Sequence, residues 1–463
     1  VQAFFYWSIV GFLRLVTRIF FRTVEVVGRD HIPKTGPVVF VGNHPNSLVD
    51  PVMILTTARR QVSLAARDGL FKMPHLMPLL WAAGAVPIKR RQDQGEGTAQ
   101  VDNSEAFAAL HRVLAKGGAF GIFPEGVTYT ESELQPLKTG AARIALSAVE
   151  EGIPVTLVPV GLTYRRRDHF RGRVLVQYGR PLSLPLWAKG HAELDPKAQS
   201  KALTADIELA LRALTLNAPD FDMLRVLDGV RRLYVPEERE LSLGEEAEVT
   251  RRIVAHYQEK KDVPEIQSLY TDVASYLALL EAMGLSDWDL RKPITKLGWA
   301  FRVMRHVGLL MFTLPLALPG LLLHFPILYG ATFAGEMLLS RDDVRATLRM
   351  MVATLVVLGS YVLVFCWLAW LDPSIPGLVT AAGTVVLLAL SGLAAIRVLE
   401  RQYVIRHGLR VLVHILSLKD QLMALRRERD ALQRRLVALA ILHVRPDLDR
   451  IVSDEELVRS QPE

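Results

Sequence analysis

Short runs of β-branched and other apolar residues at 24–27, 38–41, 62–65, 120–123, 156–160 and 174–178 alternate with stretches of helical spacing at 51–60, 103–116 and 138–150. A short apolar run between turn signals predicts a buried strand. Strands alternating with helices predict an α/β domain over residues 23–215 with a largely buried sheet. The pattern changes after that. Over 216–300 charge is dense, strand runs stop, and apolar residues recur at helical spacing, as in Leu224, Leu227, Val230 and Leu233, then Leu269, Val273, Tyr276, Leu277 and Leu280. This predicts a helical extension packed on the α/β domain; nothing in it has catalytic spacing.

The most apolar stretches lie outside that body. Residues 1–22 are rich in Phe, Tyr, Trp, Ile and Leu, interrupted by Arg14 and Arg18. They predict an amphipathic helix in a membrane interface, with a plain packing helix as the alternative. Within 301–398, the segments 351–371 and 376–396 carry no charge and are separated only by Asp372, Pro373, Ser374 and Ile375. At about 1.5 Å per residue each is long enough to cross about 30 Å of hydrocarbon, so together they predict a transmembrane hairpin. Arg345 and Arg349 flank one end and Arg397 and Arg401 the other, which puts both open ends, and the α/β domain, on the cytoplasmic side. Segment 307–330 is broken by Pro315, Pro319 and Pro326 and has basic residues on both flanks. That predicts a re-entrant or interfacial helix pair, with a third span as the alternative. A long charged helix follows over 399–445. Leu418, Leu422, Leu425, Leu432, Leu436 and Leu439 step by threes and fours, with Arg429 at the missing position. Residues 418–439 therefore fit either a short coiled coil for self-association or an amphipathic helix against its own chain. A loose tail, 446–463, closes the sequence.

Half of the 463 residues are hydrophobic, and the mean hydropathy of +0.23 is high for a wholly soluble chain. The first stretch holds Arg14, Arg18 and Arg22 and no obvious small-residue cleavage site, so it does not read as a signal peptide. Cys366 is the single cysteine; an intrachain disulfide and a cysteine metal cluster are excluded, and a cysteine nucleophile is disfavoured. A net charge of +7 fits nucleic acid or anionic lipid; the apolar segments favour lipid, and no nucleic-acid partner is expected.

Four blocks carry candidate chemistry. In Asn43-His44-Pro45-Asn46-Ser47-Leu48-Val49-Asp50 an imidazole follows an apolar strand, and a turn can bring a carboxylate back to it. A histidine oriented by a carboxylate is a general base suited to a hydroxyl proton. Asp50 followed by Pro51 also reads as a helix N-cap with Pro at the first helical position, and the two roles can coexist. Next, Gly84-Ala85-Val86-Pro87-Ile88-Lys89-Arg90-Arg91 is strand-like and ends in three cations, which suit a phosphate or an ordinary solvated basic edge. In Phe123-Pro124-Glu125-Gly126-Val127-Thr128 a strand runs into a turn. There Glu125 is placed to accept from a polyol, and Gly126 lets backbone N–H groups approach a ligand. Lys138-Thr139-Gly140 then opens a helix with a cation near its start. The last block, Val158-Pro159-Val160-Gly161, alone says only that a strand is buried.

In order and spacing these blocks resemble the phospholipid/glycerol acyltransferase superfamily, over roughly residues 25–215. The resemblance implies a glycerolipid-acyltransferase-like α/β domain and a membrane-bound enzyme of phospholipid biosynthesis. Five residues separate His44 from Asp50 where the common pattern has four, Pro87 replaces an aromatic, and Val127-Thr128 replaces Thr-x-Ser. The longer spacer, with Pro51 after Asp50, is similar to the fungal-type glycerol-3-phosphate/dihydroxyacetone-phosphate acyltransferases. So are Phe170-Arg171-Gly172-Arg173-Val174, Arg231-Arg232-Leu233-Tyr234 and the C-terminal hairpin. What this implies is direct acyl transfer from acyl-CoA or acyl-carrier protein to glycerol 3-phosphate or dihydroxyacetone phosphate, with a lysophospholipid acceptor or a non-catalytic scaffold as rivals. His44 and Asp50 would be catalytic, and Lys89, Arg90, Glu125, Gly126, Thr128 and Lys138 substrate-binding. No metal or other cofactor is implied.

Overall fold

The computed structural model describes residues 2–72, 77–89, 103–126, 131–167, 169–236, 239–291, 296–338 and 342–443. Arg90, Arg91, Thr128 and the tail expected over 446–463 lie outside the described residues. The chain forms two compact units, the first taking residues up to 220 together with 242–247 and 335–350.

In chain order the first unit holds α1 (Gln2–Phe20), β1 (Thr23–Val27), β2 (Val38–Gly42), α2 (Val49–Thr57), β3 (Val62–Arg67), α3 (Met77–Ala82), β4 (Val86–Ile88), α4 (Ser104–Ala115), β5 (Ala119–Ile122), α5 (Gly140–Glu150), β6 (Thr156–Arg165), β7 (Arg173–Tyr178), β8 (Leu182–Ser183), α6 (Leu184–Gly190) and α7 (Pro196–Arg212). The strands make one mixed sheet in the order β1-β7-β6-β2-β5-β3-β4, with β8 on β6. Every neighbouring pair along that path is parallel except β6 and β7. Alternation sorts β2 between two cores. Val38 and Phe40 face the side that carries α2 and one stripe of α1, while Val39 and Val41 face α4, α5 and α7.

Strand β6 is the element that shapes the site. Its first half pairs with β2 and its second half turns to pair with β7. The strand therefore continues past the end of β2, beyond the point where the sequence pattern predicted it to stop. Residues 162–164 are thereby laid over the turn that follows β2.

Helix α1 uses two faces. Tyr6, Val10, Leu13, Thr17 and Phe20 are buried, whereas Phe4, Phe5, Trp7, Phe12 and Leu15 are exposed. It packs on its own unit and still presents an apolar face.

The second unit is helical: α8 (Phe221–Tyr234), most of α9 (Leu243–Lys260), α10 (Pro264–Ala282), α11 (Asp287–Arg291), and parts or all of α12 (Lys296–Leu338), α13 (Asp342–Leu371), α14 (Ile375–Ser417) and α15 (Lys419–His443). One expectation changes here. The helix pair predicted over 307–330 is one continuous helix, α12, with Pro315, Pro319 and Pro326 inside it. Its backbone is helped from α14: the Ser391 hydroxyl accepts from Gly320 N at 2.7 Å and donates to Leu316 O at 2.7 Å, standing between a donor and an acceptor one helical turn apart. The leucine seam of α15 is spent within the chain. Leu422, Leu425, Leu432 and Leu436 are buried, α15 packs on α8 and α10, and Arg429 at the seam's gap reaches Asp287 at 2.9 Å. This is the own-chain alternative to self-association through 418–439.

Among the described residues four stretches, Ala3–Phe20, Leu297–Gly330, Arg349–Leu371 and Ile375–Ser417, are long and apolar enough to cross a membrane, by length and composition.

Candidate active site

The site forms at the carboxyl ends of β2 and β5, neighbouring parallel strands. Gly42 ends β2, and a Cβ there would stand 3.1 Å from the Phe123 ring. Glycine thus admits Phe123, whose ring stacks on His44 at a centroid distance of 4.2 Å and 13°. Asn43 then imitates one more ladder residue: its Oδ1 accepts from Leu162 N at 2.7 Å and its Nδ2 donates to Leu162 O at 3.0 Å. The backbone on the amino side of His44 is therefore fixed to β6.

After His44 the chain makes a tight turn, with Ser47 in the left-handed region at φ 39°. That conformation costs a non-glycine residue about 1–2 kcal/mol, and it lets α2 start at Val49. Asp50 consequently sits in the first turn of α2, and the N-cap is Leu48, without a side-chain cap. Asp50 is not the cap because its carboxylate points back along the turn. Oδ2 accepts from His44 Nδ1 at 2.9 Å and from Asn46 N at 2.6 Å, and Oδ1 accepts from the Tyr164 hydroxyl at 2.6 Å. Asp50 is completely buried and His44 is 8% exposed. With Nδ1 committed to the carboxylate, Nε2 is the ring nitrogen left to exchange a proton.

Glu125 is also buried. Its Oε1 accepts from His44 N at 2.9 Å and its Oε2 from Gln135 N at 3.2 Å. The turn after it needs Gly126, at φ 71°, and the Lys138 side chain lies directly over that glycine, with Nζ 2.7 Å from where a Cβ would be. Lys138 N donates to Pro124 O at 2.9 Å, which ties the two segments. His44, Asp50, Glu125, Gly126 and Lys138 are thus brought together. Lys89 follows the last residue of β4, and its N and O pair with the Asn103 side chain. It shares the sheet edge, but three strand spacings, roughly 14 Å, separate its strand from β2.

Two contributors were missed by sequence reasoning: Tyr164 and the Asn43 tether. Tyr164 did leave a signal. Val158, Val160, Leu162 and Tyr164 form an alternating stripe that runs beyond the Val-Pro-Val-Gly block and lands in one core. Burial, and then the neighbouring Asp50 charge, push the Tyr164 phenol well above its ordinary value, so it remains a hydrogen-bond donor.

A buried imidazole–carboxylate pair at a parallel strand end has the chemistry to take a proton from a hydroxyl. Comparison with known proteins narrows the class. Residues 23–163 match the family model described as Acyltransferase, and residues 226–448 match that of the glycerol-3-phosphate acyltransferase 2 C-terminal domain. The matches mark residues 23–163 as an acyltransferase-family segment and residues 226–448 as that C-terminal domain. The second match spans most of the helical extension, the apolar helices and α15. Similar proteins include an acyltransferase of Schizosaccharomyces pombe described as uncharacterized, 23% identical over 81% of this chain and 70% of that one. Glycerol-3-phosphate O-acyltransferase 2 of Saccharomyces cerevisiae is 34% identical over 49% of this chain and 32% of its own length. Glycerol-3-phosphate O-acyltransferase 1 of the same yeast is 27% identical over 66% of this chain and 52% of its own length. The chain thus spans only about a third and a half of the two S. cerevisiae proteins.

Proposed function

We propose that this chain transfers a fatty acyl group from an acyl thioester, on coenzyme A or acyl-carrier protein, to a hydroxyl of glycerol 3-phosphate or dihydroxyacetone phosphate at a membrane surface. The observation that carries the reading is the buried His44–Asp50 pair at 2.9 Å, inside the segment that matches the acyltransferase family. His44 Nε2 takes the acceptor hydroxyl proton as the oxygen attacks the thioester carbonyl. The C–O bond forms, the C–S bond breaks, and the proton passes from the imidazolium to the leaving thiolate. Asp50 holds the ring and stabilises the imidazolium between those steps. The acceptor supplies the nucleophile, so no acyl-enzyme is required.

Glu125 holds the His44 main chain from the neighbouring strand end. Lys138, lying over Gly126 beside this anchor, is the cation best placed for the acceptor phosphate; Lys89, Arg90 and Thr128 complete the candidate binding set. The exposed apolar face of α1 and the apolar helices keep the site at the bilayer, and the arginines flanking 351–371 and 376–396 favour the cytoplasmic face. Glycerol 3-phosphate is favoured over a lysophospholipid by the spacing from His44 to Asp50 and by what the two S. cerevisiae relatives are named for.

The test offers glycerol 3-phosphate, dihydroxyacetone phosphate and lysophosphatidate side by side to the purified full chain in lipid nanodiscs, with labelled acyl-CoA and acyl-carrier protein as donors. Transfer fastest to one of the first two acceptors is expected. Transfer to lysophosphatidate alone overturns the acceptor assignment, and no transfer to any overturns the function.

A further inference from the structure

We infer that Tyr164 is a positioning residue of the acyl-transfer site, orienting Asp50 and setting how strongly it supports His44. The inference rests on the proposed reaction and adds a third residue to the hydrogen-bonded chain behind its base. Asp50 has two oxygens and no exposure. One receives His44 Nδ1 and Asn46 N, both from the turn that Asp50 itself closes. The other receives the Tyr164 hydroxyl at 2.6 Å, from a different strand. Tyr164 thus ties the carboxylate to the sheet and not to its own loop.

The ring is held where it can do this. Tyr164 lies opposite Val174 in the β6–β7 ladder, and its ring packs beside Phe21 at 6.0 Å. Asn43, bonded twice to Leu162, locks the same strand to the residue before His44. Strand β6 therefore fixes both partners of the pair: the base through the backbone beside it and the carboxylate through Tyr164. A carboxylate that receives a short hydrogen bond on its outer oxygen has a defined plane, and it shares its charge between the phenol and the imidazole. Losing that donor frees the carboxylate to rotate and concentrates its charge on His44 Nδ1.

Tyr164→Phe removes only the hydroxyl and keeps the ring. The experiment compares wild type, Tyr164→Phe and His44→Ala in the same nanodiscs, measuring kcat, acceptor KM, thermal melting and the pH profile of kcat/KM. Tyr164→Phe leaves a buried Asp50 oxygen without its phenol donor, so it is expected to melt a few degrees below wild type, to lose about 10- to 100-fold in kcat, and to keep its acceptor KM within twofold. The limb of the profile on which activity rises from acid should move to higher pH, because a carboxylate relieved of its phenol partner holds the proton on its imidazole more tightly. A wild-type kcat with an unmoved limb overturns the inference, as does a rise in acceptor KM at unchanged kcat. If His44→Ala retains wild-type transfer, the proposed reaction itself fails, and that outcome is distinct from failure of the Tyr164 assignment.

Discussion

Glu125→Gln separates two readings of the buried carboxylate beside the His–Asp pair. The sequence pattern offered Glu125 as an acceptor for a polyol. The structure gives both of its oxygens to backbone donors, His44 N at 2.9 Å and Gln135 N at 3.2 Å. A glutamine of the same shape keeps one acceptor oxygen and turns an NH2 group toward the other donor. The variant loses one hydrogen bond to a charged group and leaves one buried N–H facing another donor, a cost of about 2–4 kcal/mol. For a unit of this size that is a fall of roughly 5–12 °C in melting temperature. The strained contact lies on the backbone of His44 itself, so the base moves with it. Displacements approaching 1 Å can cost about 100-fold in rate, and kcat should drop about 10- to 100-fold. Acceptor KM should stay within twofold, because the carboxylate is occupied by the protein. Thermal melting and steady-state kinetics on the purified full chain provide both readouts. A tenfold rise in acceptor KM at unchanged kcat and melting temperature would refute the reasoning and return Glu125 to the substrate.

Three other outcomes follow from the same geometry. Gly126→Ala forces a Cβ into a left-handed residue and against Lys138, so it should cost about 1–2 kcal/mol and raise KM for a phosphorylated acceptor more than for a phosphate-free one; equal effects on both would contradict the placement of Lys138. In the helical unit, Asp287 takes Arg429 Nε at 2.9 Å, Arg291 Nε at 3.1 Å and the Tyr276 hydroxyl at 3.0 Å. Asp287→Ala should therefore destabilise that unit by about 3–5 kcal/mol, read by limited proteolysis and melting, whereas a loss below about 1 kcal/mol would show the cluster to be dispensable. Burial raises the phenols of Tyr164 and Tyr178 above their ordinary value of 10.0. The folded chain then keeps protons that the unfolded chain gives up, so this contribution to stability is complete below about pH 10 and declines as pH rises toward the raised values; denaturation midpoints that stay flat from pH 9 to 11 would contradict it.

The α/β unit was legible because its strands are buried on both faces and read as plain apolar runs. The pairing of His44 with Asp50 was legible too, since a spacing of six requires a turn to bring them together. What the pattern could not supply was contact across the sheet. Tyr164 closes on Asp50 only because β6 overruns β2, a matter of strand length rather than spacing. Likewise, Glu125 looked like a free acceptor until β5 placed it under the His44 amide. In the helical unit, three prolines argued for a break in α12, but a serine hydroxyl from α14 bridges the backbone groups near Pro319. The heptad leucines of α15 fitted a second chain or the chain itself equally well; the contact of Arg429 with Asp287, 142 residues away, is one that a one-dimensional pattern does not connect.

The most direct measurement of the central claim is single-turnover transfer of a labelled acyl group to glycerol 3-phosphate by His44→Ala and wild-type protein in the same membranes. Removing the general base should slow the chemical step about 100- to 10,000-fold while acceptor binding persists. Transfer by the variant at the wild-type rate would contradict the account.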